Sequence, residues 1–240
     1  MNNDPVAHDE ATRPDMAANL SAAARSAWAK HDFDTTGWMP LWRHFADSAA
    51  VAGHLWDEWI PRNLRVLIGD ALPGGLEDAR CLAVWLAATH DIGKCTPAFA
   101  CQVEPLADQM RSAGLEMRTK EQLGNDRRMA PHGLAGQLLL QEWLSERCGW
   151  SGRAAIAFAI AAGGHHGVPP TYAQIHELNL HPGLLRTRGA SEPLWKQVQW
   201  ELLDACAEAY GVQERLAEWR TVKLPQQVQI VLHGLRPVVH

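Results

Sequence analysis

Apolar residues recur every three to four positions in segment after segment of this chain, and nowhere do they alternate convincingly as a half-buried strand requires. The period is that of helices with one face on a core. It covers Ser21 to Lys30, His44 to Trp59, Leu76 to Thr89, His132 to Arg147, Gly152 to Ala162, Leu194 to Tyr210 and Gln226 to Leu235. Helix breakers separate these segments at Pro73 to Gly75, Gly163 to Pro170 and His181 to Gly189, and Ser191 with Pro193 reads as a helix start. The chain is therefore expected to be all-α. With 240 residues, 47% of them hydrophobic, and no fixed-period repeat, one domain is expected over residues 21–240. Residues 1–20, polar and Ala-rich with Pro5 and Pro14, read as a flexible N-terminal tail. The charged stretch from Glu104 to Ala130 reads as a mobile, solvated excursion.

Composition narrows the function. No apolar run approaches the roughly 20 residues that span a bilayer, and Met1 to Pro5 lacks the basic-then-apolar start of a signal peptide. A soluble cytoplasmic protein without membrane contact is expected. Cys81, Cys95, Cys101, Cys148 and Cys206 form no C-x-x-C pair and read as reduced, mostly buried thiols. A net charge of -5 argues against coating nucleic acid by bulk electrostatics, which depends on phosphate neutralisation by Lys and Arg. Any such contact has to be local. Twelve histidines, several beside acidic residues or glycines, direct attention to metal chemistry.

The apolar helix Cys81 to Ala88 runs into Thr89-His90-Asp91-Ile92-Gly93-Lys94. Neighbouring helical residues diverge by about 100°, so His90 and Asp91 serve one centre only near a helix end or between two adjacent ions. Gly93 and Pro97 supply such an end. A carboxylate offers two oxygens and a neutral imidazole one nitrogen, which suits a dinuclear site; a plain hydrogen-bonded His-Asp pair at a helix terminus is the alternative. A second apolar helix runs into Gly163-Gly164-His165-His166-Gly167, where two adjacent imidazoles are costly to bury without a metal or an acceptor. Exposed loop histidines are the alternative there. His132 follows Pro131 in the first turn of a helix, which equally suits a capping residue. His44 and Asp47 share a helix face at i, i+3 spacing, so Asp47 could orient His44. His54 reads as a surface or packing residue, and His31, His176, His181 and His233 show no partner. Trp56, Trp59, Trp85, Trp143 and Trp195 lie among Leu and Ala and read as core, leaving Trp28, Trp38 and Trp42 as candidates for stacking on single-stranded bases.

Taken in order, His44, His90-Asp91 with Lys94, His132 and Gly164-His165-His166-Gly167 resemble the HD nuclease domain of the type I CRISPR nuclease-helicase, a branch of the HD superfamily. The phrase His90-Asp91-Ile92-Gly93-Lys94, followed by Pro97 and Phe99, looks like that family's signature, and the likeness runs from about Trp42 to Pro170. The resemblance implies a single HD-superfamily helical domain with a metal site at helix ends. In it His44 and His90 help hold one ion, Asp91 bridges, and His132, His165 and His166 hold the other. Asp91 and Lys94 are the catalytic pair it implies, Lys94 sitting near the scissile phosphate. It implies two divalent transition-metal ions (Mn, Fe, Co, Ni or Zn), because imidazole and carboxylate ligands suit these better than Mg or Ca. The implied reaction is hydrolysis of phosphodiester bonds in single-stranded DNA by metal-activated water, in CRISPR antiviral defence. The implied partners are a CRISPR surveillance complex and a helicase domain or subunit.

The sequence also departs from the family. Its members supply a further Asp in a late Gly-Leu or Gly-Phe stretch running into Ala-Asp-Trp, whereas here Gly234-Leu235-Arg236-Pro237-Val238-Val239-His240 lacks the carboxylate, and Asp204 is the candidate substitute. No G-x-x-x-x-G-K-[ST] loop is present, so no ATPase activity is expected. Two rival readings stand beside the nuclease. One is an HD phosphohydrolase acting on nucleotides or cyclic nucleotides in a closed pocket; the other is a metal-poor HD scaffold that recruits partners and cuts nothing.

Overall fold

A computed structural model describes residues 16–234, whose regular elements are helical apart from one short hairpin. In chain order come α1 (Ala22–Ser26), the antiparallel pair β1 (Trp28–His31) and β2 (Trp38–Pro40), α2 (Leu41–Glu58), α3 (Arg62–Gly69), α4 (Gly75–Thr89), α5 (Pro97–Ala100), α6 (Glu104–Ser112) and α7 (Lys120–Leu123). There follow α8 (His132–Glu142), α9 (Gly152–Gly163), α10 (Tyr172–Leu180), α11 (Glu192–Ala209), α12 (Gln213–Trp219) and α13 (Gln226–Gly234). A 3-10 turn, Ile92–Lys94, joins α4 to α5, and another, Asp126–Met129, leads towards α8. Among the described residues no helix is long and apolar enough to cross a membrane.

The long helices follow the apolar period. Beyond Glu142, α8 continues as one π turn, Trp143–Arg147, so the stretch predicted as a single helix is one rod with a widened end. Ser151 caps α9 by accepting from the Ala154 amide, one of the donors a helix start leaves orphaned. The end predicted for the last helix, Leu235, and the stretch beyond it lie outside the described residues, as do residues 1–15 of the predicted tail. Met16 and Leu20, within that predicted tail, are buried in the core. The five cysteines are free, three of them buried and two half-buried.

Three local expectations fail. The helix predicted from Ser21 to Lys30 stops at Ser26, because the next residues are drawn into an extended pairing with β2. Trp28 decides this. Its ring packs on Phe99 at 4.5 Å and its Nε1 donates to the Ala100 carbonyl at 3.3 Å, so a tertiary anchor overrides the period and removes Trp28 as a base platform. Trp42 is half-buried against the core and Trp38 is more exposed. The stretch from Glu104 to Ala130 is not a solvated excursion: Leu106, Met110, Leu115, Met117 and Leu123 are buried. Arg111 donates to Glu104 (2.7 Å) and Asp108 (2.6 Å), and Glu116, Arg118, Lys120, Glu121, Asp126 and Arg128 stay exposed, so the apolar side chains fold inward while the charges face solvent. Trp59, read as core, sits at the C-cap of α2 and is 74% exposed, whereas Trp56, Trp85, Trp143 and Trp195 are buried as expected.

Two close backbone approaches put the helix ends together. A Cβ on Gly93 would lie 1.9 Å from the His132 carbonyl oxygen and 2.5 Å from the Gly136 nitrogen, so the turn after α4 rests directly on the backbone of α8. A Cβ on Gly133 would lie 3.0 Å from the Gly163 carbonyl oxygen, so the end of α9 also comes close to the backbone of α8. Buried Gln199 on α11 then fixes the turn: its Nε2 donates to the Cys95 carbonyl (2.7 Å) and the Leu185 carbonyl (3.0 Å), while its Oε1 accepts from Arg186 (2.6 Å).

Candidate metal centre

The glycine contacts bring the end of α4, the start of α8 and the end of α9 to one place, and α2 lies along α4. At their meeting point sits Asp91, only 3% exposed, with its two oxygens facing different sets of nitrogens. Oδ2 accepts from His44 Nε2 (2.8 Å) and Lys94 Nζ (2.7 Å) and lies 3.3 Å from His90 Nε2. Oδ1 lies 3.3 Å from both His132 Nε2 and His165 Nε2, yet it is buried without a hydrogen bond. His132 Nε2 in turn lies 3.2 Å from His165 Nε2 and 2.7 Å from His166 Nε2. All five histidines singled out in the sequence, with Asp91 and Lys94, are therefore brought together.

Two of these imidazoles are aimed by the backbone. His90 Nδ1 donates to the Ala87 carbonyl and His165 Nδ1 to the Ala162 carbonyl, each at 2.6 Å and each three residues back. A carbonyl only accepts, so Nδ1 carries a proton, and in the neutral tautomer this selects, the Nε2 lone pair points inward. The close pair of Nε2 atoms on His132 and His166 has room for one proton between them. Together with the unsatisfied Oδ1, this is an electron-rich set that a cation would satisfy. The donor atoms fall into two groups, His44 with His90 and Asp91, and His132 with His165 and His166, with ligand atoms inside each group within 4.8 Å of one another.

Burial pushes His132 down to about 3, with His165, Lys94 and His166 adding to the shift and Asp91 opposing it. Burial likewise lowers His44, against its hydrogen bond to Asp91, and lowers His166, helped by its neighbour His165. For Asp91 burial acts upward, but His165, His44 and His90 outweigh it and hold the carboxyl well below its ordinary range. At neutral pH Asp91 is an ionised carboxylate beside the neutral imidazoles of His44, His132 and His166, with Lys94 Nζ paired to it at 2.7 Å.

Other expectations fare differently. His44 Nδ1 is buried with no hydrogen-bond partner, so Asp47 does not orient that ring by hydrogen bonding. Asp204 does not join the cluster: Oδ1 accepts from Trp143 Nε1 (2.9 Å) and Oδ2 from Arg147 (3.3 Å). Its place on α11 turns it to the π turn after α8 instead. Among the described residues no further carboxylate joins either group. His54 is exposed. Three histidines read as partnerless have neighbours after all, His181 facing Glu177 (3.4 Å), His176 stacking on Tyr172 and His31 meeting Phe33 edge-on. The side chain of His233 lies outside the described residues. What sequence reading missed are the carbonyls of Ala87 and Ala162, since a backbone acceptor leaves no side-chain signal.

A helical domain that gathers histidines from four chain segments around one shared, buried His-Asp carboxylate at helix ends has the design of the HD class. The model of the HD domain of Cas3 matches residues 28–238, and the chain belongs to this family. It is 32% identical to the CRISPR-associated endonuclease/helicase Cas3 of Thermus thermophilus over 80% of this chain and 19% of that one, and 31% identical to the CRISPR-associated nuclease/helicase Cas3 of Streptococcus thermophilus over 59% and 16%. The chain thus spans about a fifth or less of the length of these relatives. Among solved structures it resembles a CRISPR-associated protein (TM-score 0.72, 30% identity, 90% of this chain and 23% of that one). It also resembles the Cas3 HD domain of Thermus thermophilus determined in the presence of Ni2+ (TM-score 0.55, 25% identity, 88% and 76%).

Proposed function

We propose that this domain hydrolyses phosphodiester bonds of single-stranded DNA in CRISPR defence, using two divalent transition-metal ions and working with a helicase domain or subunit and a surveillance complex. The observation that carries the reading is the division of Asp91, one oxygen turned to each group of imidazoles. His44, His90 and Asp91 would hold one ion and His132, His165 and His166 the other, with Asp91 shared. Two such ions would supply Lewis acidity and a hydroxide at neutral pH. Imidazole and carboxylate donors favour Mn, Fe, Co, Ni or Zn. The nuclease names of the two Cas3 relatives, and the Ni2+ in whose presence the related HD domain was determined, support this choice.

The chain's own groups supply the rest. The Ala87 and Ala162 carbonyls keep two Nε2 lone pairs presented, so little reorganisation is needed. His44 has to release the proton it shares with Asp91, which couples loading of the site to pH. Lys94 keeps a fixed positive charge 2.7 Å from Asp91, where an anionic phosphodiester gathers further negative charge. His166 is exposed at the rim, so the substrate approaches from that side.

The test combines metal analysis of the purified protein with cleavage of single-stranded DNA in added Mn2+ or Ni2+, for wild type and Asp91→Asn. Two ions per chain are expected, with cleavage falling roughly a hundredfold or more in the variant. Equal cleavage in both proteins would overturn the assignment. A single bound ion would remove its dinuclear part, activity on mononucleotides alone would favour the phosphohydrolase, and a metal-free, inert protein would favour the scaffold.

A further inference from the structure

The rim of the site continues into an aromatic surface. From His166, whose Nε2 touches His132, the chain runs through exposed Gly167 and Val168 and the stiff pair Pro169-Pro170 into α10. Tyr172 follows His166 by six positions, so their Cα atoms are at most about 22 Å apart. Tyr172 is 83% exposed, and its ring lies nearly parallel to that of His176, one helical turn on (6.2 Å, 15°). Few side chains of α10 face inward; Leu178 is buried and Ile175 half-buried. The helix packs against α8, which begins with His132, and against the turn Asp126–Met129, which carries Arg127 and Arg128 against a single acid, Asp126. Arg128 is exposed.

We infer that the Tyr172–His176 face is a ledge on which a base of single-stranded nucleic acid stacks beside the metal centre, while Arg128 meets the neighbouring phosphate. This rests on the function proposed above and gives the substrate strand a course: off the centre at His166 and along α10. The chemistry selects the partner. An exposed phenol ring beside an imidazole offers a π-surface to any base, and a guanidinium in the adjoining turn matches a phosphate, in a chain whose net charge of -5 leaves binding to local contacts. At 3.4 Å per stacked nucleotide the ledge lies within about six nucleotides of the centre.

The test measures affinity of the metal-free protein for a dT 12-mer and for an abasic 12-mer by fluorescence anisotropy, alongside hydrolysis of bis-p-nitrophenyl phosphate in Mn2+. Tyr172→Ala is expected to bind the dT strand about tenfold more weakly, Tyr172→Phe to match wild type, and the abasic strand to bind wild type and Tyr172→Ala equally. Arg128→Ala weakens both strands alike. All variants keep the ester hydrolysis, since none touches the centre. Unchanged dT affinity in Tyr172→Ala, or an equal loss on the abasic strand, overturns the ledge and leaves the nuclease reading standing. Wild type that hydrolyses the small ester but binds neither strand overturns the single-strand reading itself.

Discussion

One carboxylate carries most of the electrostatic tension of this protein. Asp91 is ionised, almost fully buried, and compensated by Lys94 Nζ at 2.7 Å. Removing one partner of a buried ion pair leaves an uncompensated charge and costs about 3 kcal/mol or more. Lys94→Met is therefore expected to lower the melting temperature of chelator-treated protein sharply, and added Mn2+ to restore much of the loss, because cations replace the missing charge. Thermal melts with and without metal check this; a variant as stable as wild type without metal would remove Lys94 as the counter-charge. Asp204 serves as the contrast. With its oxygens committed to Trp143 and Arg147, Asp204→Ala is expected to cost about 1 to 3 kcal/mol of stability, through the unpaired indole N–H, and to leave bound metal unchanged. Metal analysis beside denaturant titration separates the two effects.

At the level of elements, the centre depends on how closely the turn Ile92–Lys94 and the end of α9 approach α8. Gly93→Ala forces a methyl into a backbone carbonyl, and a loss of about 3 kcal/mol or complete failure to fold is expected, well beyond ordinary overpacking. Gly75, which opens α4 at φ 62°, has nothing near its missing Cβ, so Gly75→Asn should cost well under half of that. Parallel chemical denaturation of the two variants tests the ranking. Gly93 was legible in the sequence as a helix end but not as a close approach, whereas the convergence of histidines at helix ends was legible, because an apolar run that stops at a polar cluster marks where a buried helix meets solvent. The β1 strand was not legible. Trp28 fits a helical period as well as a strand, and only Phe99, 71 positions later, decides between them. Asp204 failed for a similar reason: its place on a helix face says nothing about which neighbour that face meets. The charged run after Glu104 misled because its charges line an exposed face while Leu106, Met110, Leu115, Met117 and Leu123 turn inward, which composition does not reveal.

Across the whole molecule, the lowered imidazoles set the pH response. His44, His132 and His166 bind protons less readily in the folded protein than their ordinary value of 6.5 allows, so below that value the unfolded chain takes up protons that the folded one refuses. Stability of the metal-free protein is then full above pH 6.5 and falls progressively as pH drops towards about 3, where His132 titrates. Protonation of Asp91, held well below the carboxylate range, adds its own loss below about pH 4. Denaturation midpoints from pH 8 to 4 check this, and a midpoint flat across that span would contradict the burial of neutral rings. Metal held by these histidines, as proposed, would sharpen the dependence, since protons compete for the same nitrogens. The amide of Gln199 has a different consequence, for the birth of the protein. It fastens the segment behind Lys94 from 104 positions downstream, so this last hydrogen bond cannot close until α11 has left the ribosome. A nascent chain paused before that point holds every histidine of the centre and still lacks the clasp that finishes it.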